Sequence, residues 1–440
     1  MDKRKRSALE LGKTALICLL ACSAVYLSIR TQLFDHAFFR GQQDESGTES
    51  EMGTATGGEM LRQMIRPVRM AVQSDSGRYG VQYDSEAVDA LFERTANLLA
   101  EAMSSVSRPV ETSRAAWEQA LISTPSIYFD FLGRVPVGAL QDWMSVGRSN
   151  AALSGTVRKL LLAPGEGDSV LLYYINEEDG MYYACETDIL KQEQLRTAIS
   201  GLTGNGARFA FETEEYAGID PDVLILPSPP QLAAYTAADP LTGEGGDTIG
   251  EAVAAQLKFN TQGSNRYSGA DGVVIRNGAD TLRMSHSGTI TYSGGEQADP
   301  RFPVALDGDG KMQEKDVVQA AYEIAAQIML PYAGEAQLFL QKVSNSGDGR
   351  MELCFDYSLS GAEVGRLDGT CAAHFVAEAG SIVSFTLNMR TYSAAGEPEA
   401  VLPELQAQAA AEALGAEQPE LCICYYDNLN GTATPEWIAD

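Results

Sequence analysis

Histidine is the side chain best suited to proton transfer near neutral pH, and the 440-residue chain contains three of them. His36 follows an apolar start, whereas His286 and His374 lie in separate strand-like segments, where we expect them to be partly exposed. The sequence has no HExxH, GxSxG or CxxC motif and no glycine-rich phosphate loop. We therefore predict no catalytic residue, no metal ligand and no cofactor.

Carboxylates are abundant, with 60 acidic side chains, so the sequence leaves a glycosidase-type pair open. Asp307 and Asp309 begin like a calcium-binding loop. However, Lys311 takes the fifth position, Met312 stands where glycine is needed, and Val318 stands where the bidentate glutamate belongs. This segment is therefore predicted to be a turn.

Asp130 is the acidic residue in the most apolar setting, within the strand-like segment 126–131. Alternation along a strand places its side chain on the face opposite Phe129 and Phe131. We therefore expect Asp130 to be solvated or to lie at the rim of a sheet.

Seven cysteines are too few for a disulfide-stapled scaffold of this length. Five of them follow the apolar start, so at least one lacks a partner within the chain. Cys354 and Cys371 lie on consecutive strand-like segments, and a disulfide between them is one option. Cys422 and Cys424 would share one face of a strand, which favours packing in a core over metal binding.

The start of the chain predicts a membrane anchor. Sixteen uncharged, mostly apolar residues lie between Lys13 and Arg30. As a helix they span about 24 Å, and the two flanking cations can snorkel to the headgroups of a ~30 Å hydrocarbon core. Basic residues crowd the segment before this stretch, so the positive-inside rule predicts a cytoplasmic amino terminus and an extracellular bulk.

Two other interpretations of the start remain open. Cys22-Ser-Ala24 resembles the small-residue site of a cleaved signal peptide, and residues 19–22 resemble a lipoprotein box with Cys22 as the lipidated residue. The apolar run continues past both sites, and no polar tether follows Cys22 directly, which favours the anchor.

One face of the predicted transmembrane helix consists of small side chains. Such faces let helix backbones approach closely in lipid, and we predict that this one packs against another membrane protein. Its residues are Cys18, Ala21, Cys22, Val25 and Ser28.

The charge of the chain excludes a class of partner. Beyond residue 30 there are 26 basic and 58 acidic residues, a net charge of −32. A surface of this sign repels phosphate backbones, so we expect no nucleic-acid binding.

Hydrophobic periodicity predicts an α+β fold of antiparallel sheets packed with helices. Amphipathic helices are expected over residues 85–102, 113–121, 315–330 and 403–414, and strands between them. The predicted organisation is a cytoplasmic basic tail (1–13), a transmembrane helix (14–30), a disordered acidic tether (31–60), a first α+β domain (61–240), a small helix-plus-meander module (247–294) and a C-terminal α+β domain (311–440).

Several local stretches are similar to a known family. They are Trp117–Leu121 leading into Pro125–Phe131 and Val135-Pro136, then Gly380–Leu387, Arg390-Thr-Tyr392 and Pro435–Ile438. With the basic start and the single anchor, they resemble the YycH/YycI regulators, which are accessory proteins of the essential cell-wall two-component system in Gram-positive bacteria.

The resemblance implies a non-catalytic regulator whose transmembrane helix packs against a membrane sensor histidine kinase. It leaves room for a sister regulatory protein as a second partner. The family has no catalytic residues to carry over. A cell-surface enzyme or a glycan-binding module acting on the cell wall is the alternative, and it requires a pocket with convergent carboxylates or exposed aromatic side chains.

Overall fold

The computed structural model describes residues 66–144, 152–242, 245–261, 265–269, 271–295 and 299–439. The predicted tail, transmembrane helix and tether, with the small-residue face, lie outside these residues. Within the described residues, no helix is both long enough and apolar enough to cross a membrane.

Seven α-helices occur in this part of the chain. They are α1 (Ser85–Ser105), α2 (Arg114–Leu121), α3 (Val137–Trp143), α4 (Gln192–Ile199), α5 (Gly246–Gln256), α6 (Glu314–Met329) and α7 (Glu404–Ala413).

Seven strands form a first sheet in the order β2-β1-β4-β5-β6-β7-β3. They are β1 (Arg69–Ser74), β2 (Gly77–Gln82), β3 (Val110–Thr112), β4 (Ser126–Pro136), β5 (Thr156–Pro164), β6 (Ser169–Asn176) and β7 (Met181–Lys191). A separate pair consists of β8 (Arg208–Phe209) and β9 (Leu224–Ile225).

A second, 13-stranded sheet runs β11-β12-β13-β14-β19-β18-β16-β17-β21-β22-β10-β20, with β15 also paired to β16. Its strands are β10 (Gln231–Ala238), β11 (Arg266–Gly269), β12 (Gly272–Asn277), β13 (Asp280–Ser285), β14 (Thr289–Ser293), β15 (Gln337–Asn345), β16 (Met351–Leu359), β17 (Ala362–Arg366), β18 (Ala373–Glu378), β19 (Ser381–Asn388), β20 (Thr391–Ala400), β21 (Leu421–Asp427) and β22 (Thr432–Ala439). Among the described strand ladders only β17 and β21 pair in parallel, so the predicted α+β class with antiparallel sheets is confirmed.

Helix α1 is capped at its start and buries one amphipathic stripe. The Asp84 side chain accepts a hydrogen bond from the Ala87 N–H and caps the first turn. The stripe from Val88 to Ala102 is buried against the first sheet, and its Thr95 hydroxyl donates to the Leu91 carbonyl within the helix.

Both faces of the first sheet are covered. One face contributes Ile127, Phe129 and Phe131 to a large core. The opposite face contributes Tyr128 to a smaller cluster, closed by Trp117 of α2 and by residues 207–224. A half-buried sheet would show polar alternation, but here the second layer buries the other face as well.

The two sheets share one core. A single cluster of buried apolar side chains extends from Met70 in β1 to Ala433 in β22. The sheets also touch where β4 crosses β15. There a Cβ at Gly133 would collide with the carbonyl of Leu340, so only glycine allows this approach.

The predicted division into 61–240, 247–294 and 311–440 stays a prediction. The structure adds that strands of the second and third segments are hydrogen-bonded within one sheet, since β14 pairs with β19 from Thr289 to Ser293.

The large sheet folds back on itself. β19 and β20 are joined by only residues 389–390, yet six strands lie between them in the sheet order. A flat sheet would separate them by roughly 34 Å, far more than the link can span. This return brings loops from distant parts of the chain to one end of the sheet.

Candidate functional site: a two-arginine groove

A groove of about 830 Å³ opens at this end of the large sheet. Its volume lies in the range of small-molecule sites. Its polar wall is formed by Asp239, Ser287, Thr289, Arg366, Asp368, Thr370, His374, Thr386, Asn388 and Arg390.

Arg390 is fixed by a carboxylate behind it. Its Nε and Nη2 donate to the two carboxylate oxygens of Asp427 at 2.6 and 2.7 Å, and the Tyr392 hydroxyl donates to the same carboxylate at 3.0 Å. Burial works to raise the pKa of Asp427, but the hydrogen bonds from Arg390 and from the Leu429 N–H outweigh it and hold that pKa below its usual value. Asp427 therefore stays ionised and orients the guanidinium.

Arg366 is held in the same manner from the neighbouring turn. Its Nε and Nη2 donate to the Asp368 carboxylate at 3.3 and 3.0 Å, and Nε also donates to the Thr370 hydroxyl at 3.1 Å. Burial opposes ionisation of Asp368, but Arg366 and Thr370 lower its pKa to about 2. Within the described chain, Nη1 of Arg366 and Nη1 of Arg390 donate to no protein acceptor.

Asn388 lines the same groove as the two arginines. Its Nδ2 donates to the Cys371 carbonyl at 2.7 Å, and its Oδ1 accepts from the Thr289 hydroxyl at 3.1 Å. Cys371 is joined to Cys354 by a disulfide, with a Cα–Cα distance of 5.8 Å. The bond that the sequence left as one option is thus present, and it ties the groove wall to β16.

Asp239 closes the groove from the end of β10. One of its carboxylate oxygens accepts from the Leu241 N–H at 2.9 Å. The carboxylate rests on Gly288, where any Cβ would collide with it. Burial raises the pKa of Asp239, while the Leu241 N–H and the two groove arginines, Arg390 and Arg366, act against that rise.

Two of the histidines lie near this end of the sheet. His374 lies in β18 with 41% of its side chain exposed, and its Nε2 is 3.5 Å from a Glu352 oxygen, as expected for a partly exposed strand residue. His286 is exposed in the turn that follows β13, one residue beyond the strand in which it was expected. His36 lies outside the described residues.

The expectation for Asp130 was wrong. Its side chain is 1% exposed, and Arg158 forms two hydrogen bonds to it, at 2.9 and 3.1 Å. Arg69, directly opposite on β1, donates from 3.2 Å. Glu420, which precedes β21, accepts from Arg158, Arg69 and Lys159. Asp130 is buried because residues outside the first sheet cover its polar face.

This charge cluster joins the two sheets electrostatically. Burial alone would raise the pKa of both carboxyl groups. Arg158 and Arg69 nevertheless lower the pKa of Asp130, and Lys159 and Arg158 lower that of Glu420 well below its usual value. Both are therefore ionised, and removing either would leave three buried cations facing a single carboxylate.

Asp356 is a buried carboxyl group beside the groove wall. It is 5% exposed, and it accepts a hydrogen bond from the Ala372 N–H at 2.7 Å. Burial raises its pKa to about 7, because the Ala372 N–H compensates only in part and Glu363 adds to the rise.

The structure also describes the calcium-like turn at Asp307 and the cysteines of β21. Asp307 accepts from the Asp309 and Lys311 N–H groups, which confirms the turn. Among the described residues, no group of three or more His, Cys, Asp or Glu side chains could hold a metal ion. Cys424 is buried and Cys422 half-buried in β21.

The groove was missed at the sequence level because its residues come from six separate turns and strand ends. The one local signal was Arg390-Thr-Tyr392, since two of these three residues bind Asp427.

The other family-like stretches also have structural roles. Trp117 donates from its indole to the buried Asp222 at 3.1 Å, and 126–131 begins β4.

The described chain thus combines two largely antiparallel sheets around one shared core. This is the fold of YycH: the chain is similar to the crystal structure of YycH from Bacillus subtilis, with a TM-score of 0.54 and 11% sequence identity. The similarity covers 90% of this chain and 96% of that chain. No family profile matches the sequence, and no curated protein matches it either.

Proposed function

We propose that the chain is a membrane-anchored extracytoplasmic regulator of a two-component sensor histidine kinase, acting in cell-wall homeostasis. The YycH fold, which extends over 90% of the chain, is the observation that carries the proposal. The basic start and the uncharged residues 14–29 support an anchor with an external bulk.

In this proposal the regulator acts by contact and without catalysis. The transmembrane helix packs on the kinase through Cys18, Ala21, Cys22, Val25 and Ser28. The extracytoplasmic sheets provide further contacts, to the kinase or to a sister regulator.

Substitution in the small-residue face tests the helix contact. Ala21→Leu with Ser28→Leu adds bulk where backbones must approach closely, so co-purification of the membrane kinase should fall several-fold. Leu27 lies on the opposite side of the predicted helix, which we expect to face lipid, so Leu27→Phe adds bulk away from the contact and is the matched control. Unchanged kinase recovery in the double variant would reject packing through this face.

Protease treatment of intact cells tests the topology. An external bulk should be removed while the amino-terminal tail survives. A chain that stays intact in unbroken cells and is cleaved only after lysis would contradict the external location.

A further inference from the structure

The two-arginine groove has the features of a binding site rather than of a packing defect. Arg366 and Arg390 have side chains only 9% and 11% exposed, and each is held on two nitrogens by its own carboxylate. Each retains Nη1 as a donor without an acceptor in the described chain. Planar donors held in place in this way suit a carboxylate, which accepts two hydrogen bonds at once.

The charged side chains of the groove wall indicate which kind of ligand it can bind. Asp368 and Asp427 balance the two arginines, so the groove has no excess of positive charge. Asp239 adds a further carboxylate to the lining of the groove. A phosphate or polyanion would meet the two lining carboxylates, Asp239 and Asp368, and a chain of net charge −28, which disfavours it. A ligand that carries one anionic and one cationic group matches the wall.

We propose that this groove binds a small zwitterion of the amino-acid or short-peptide class. The ligand carboxylate lies against Nη1 of Arg366 and Nη1 of Arg390, and its ammonium group lies against Asp239. The groove volume of about 830 Å³ accommodates a few residues.

Gly288 supports this assignment. Its φ of +76° favours glycine, and its carbonyl accepts from the Met389 N–H at 2.9 Å, which joins the turn after β13 to the arginine-bearing turn. Because a Cβ at this position would collide with Asp239, glycine also allows the carboxylate to lie at the groove edge.

Calorimetric titration of the full-length chain with defined probes tests the proposal. The probes are the dipeptide Ala-Ala, its N-acetyl form, its carboxyl-terminal amide and inorganic phosphate. Ala-Ala should bind, and blocking either end should weaken binding by about tenfold or more, because each block leaves a charged wall group without its partner. Phosphate should bind more weakly than Ala-Ala.

Two variants assign the ends of the ligand. Arg366→Gln leaves only the 39%-exposed Asp368 without its cation, so the fold should survive while Ala-Ala affinity falls about tenfold. Asp239→Asn keeps the acceptor for Leu241 and should make Ala-Ala bind no better than its N-acetyl form. Arg114→Gln is the control, because Arg114 lies in α2, which packs on the first sheet. This variant should bind Ala-Ala as tightly as the unaltered chain does.

Three results would overturn the proposal: no binding of Ala-Ala up to about 10 mM, phosphate binding at least as tight as Ala-Ala, or unchanged affinity in both groove variants. The titration uses the purified chain and no kinase, so its outcome is independent of the proposed regulatory function.

Discussion

Whether a side chain of the first sheet is buried depends on which distant segments of the chain cover it. Alternation correctly placed Phe129 and Phe131 in the main core, but it could not indicate that a second layer covers Asp130. That layer includes Glu420, which lies 290 positions further along the chain. Sequence therefore predicts the direction of a side chain more readily than whether another segment covers it.

Asp356 provides a prediction at this scale. Its folded pKa of about 7 exceeds the ordinary 3.8, so its contribution to stability is full below about pH 4 and is lost as the pH rises through 7. Asp356→Asn removes the charge and keeps an acceptor for Ala372. It should match the unaltered chain near pH 4 and exceed its free energy of unfolding at pH 8 by as much as about 4 kcal/mol.

Urea unfolding at both pH values measures this difference. Asp309→Asn, at an exposed turn residue, should change neither value by more than about 0.5 kcal/mol. An equal effect of Asp356→Asn at pH 4 and pH 8 would contradict the buried, protonatable carboxyl group.

At the scale of elements, the sequence predicted the helices well. The expected helix at 113–121 is α2 (Arg114–Leu121), and the expected helix at 403–414 is α7 (Glu404–Ala413), because amphipathic spacing and capping are local properties. Sheet order is not local. Nothing near residues 388–391 indicates that six strands lie between β19 and β20 in the sheet order, and the groove depends on that return.

The crossing of β4 and β15 gives a prediction about elements. Gly133→Ala would drive a Cβ into the Leu340 carbonyl and should lower the free energy of unfolding by about 1–3 kcal/mol. Gly138→Ala, in α3 with no atom near the added methyl group, should instead stabilise by about 0.5–1 kcal/mol. Chemical denaturation of both variants checks the contrast, and a stable Gly133→Ala protein would show that the sheets can separate freely.

At the scale of the whole molecule, the shared core predicts cooperative unfolding. Of the three tryptophans, Trp117 and Trp143 lie in helices beside the first sheet and Trp437 lies in β22. In a Trp437→Phe variant, fluorescence reports on the surroundings of helices α2 and α3, whereas circular dichroism reports on the secondary structure of both sheets. The two transitions should coincide, because the core is continuous.

Separate midpoints in that experiment would favour the division at residues 240 and 311 as independent folding units. Trp437 is only partly buried, and its indole donates to the Leu402 carbonyl at 2.8 Å, so its replacement should lower the free energy of unfolding by about 0.5–1.5 kcal/mol and leave the comparison of the two transitions intact.

The ion pair between Arg69 and Glu420 joins residues 351 positions apart. At a synthesis rate of about 5–20 residues per second, Glu420 is added roughly 15 to 60 seconds after Asp130. Throughout that interval the polar face of the nascent first sheet is open to water, because the charge cluster around Asp130 is complete only after Glu420 has been made.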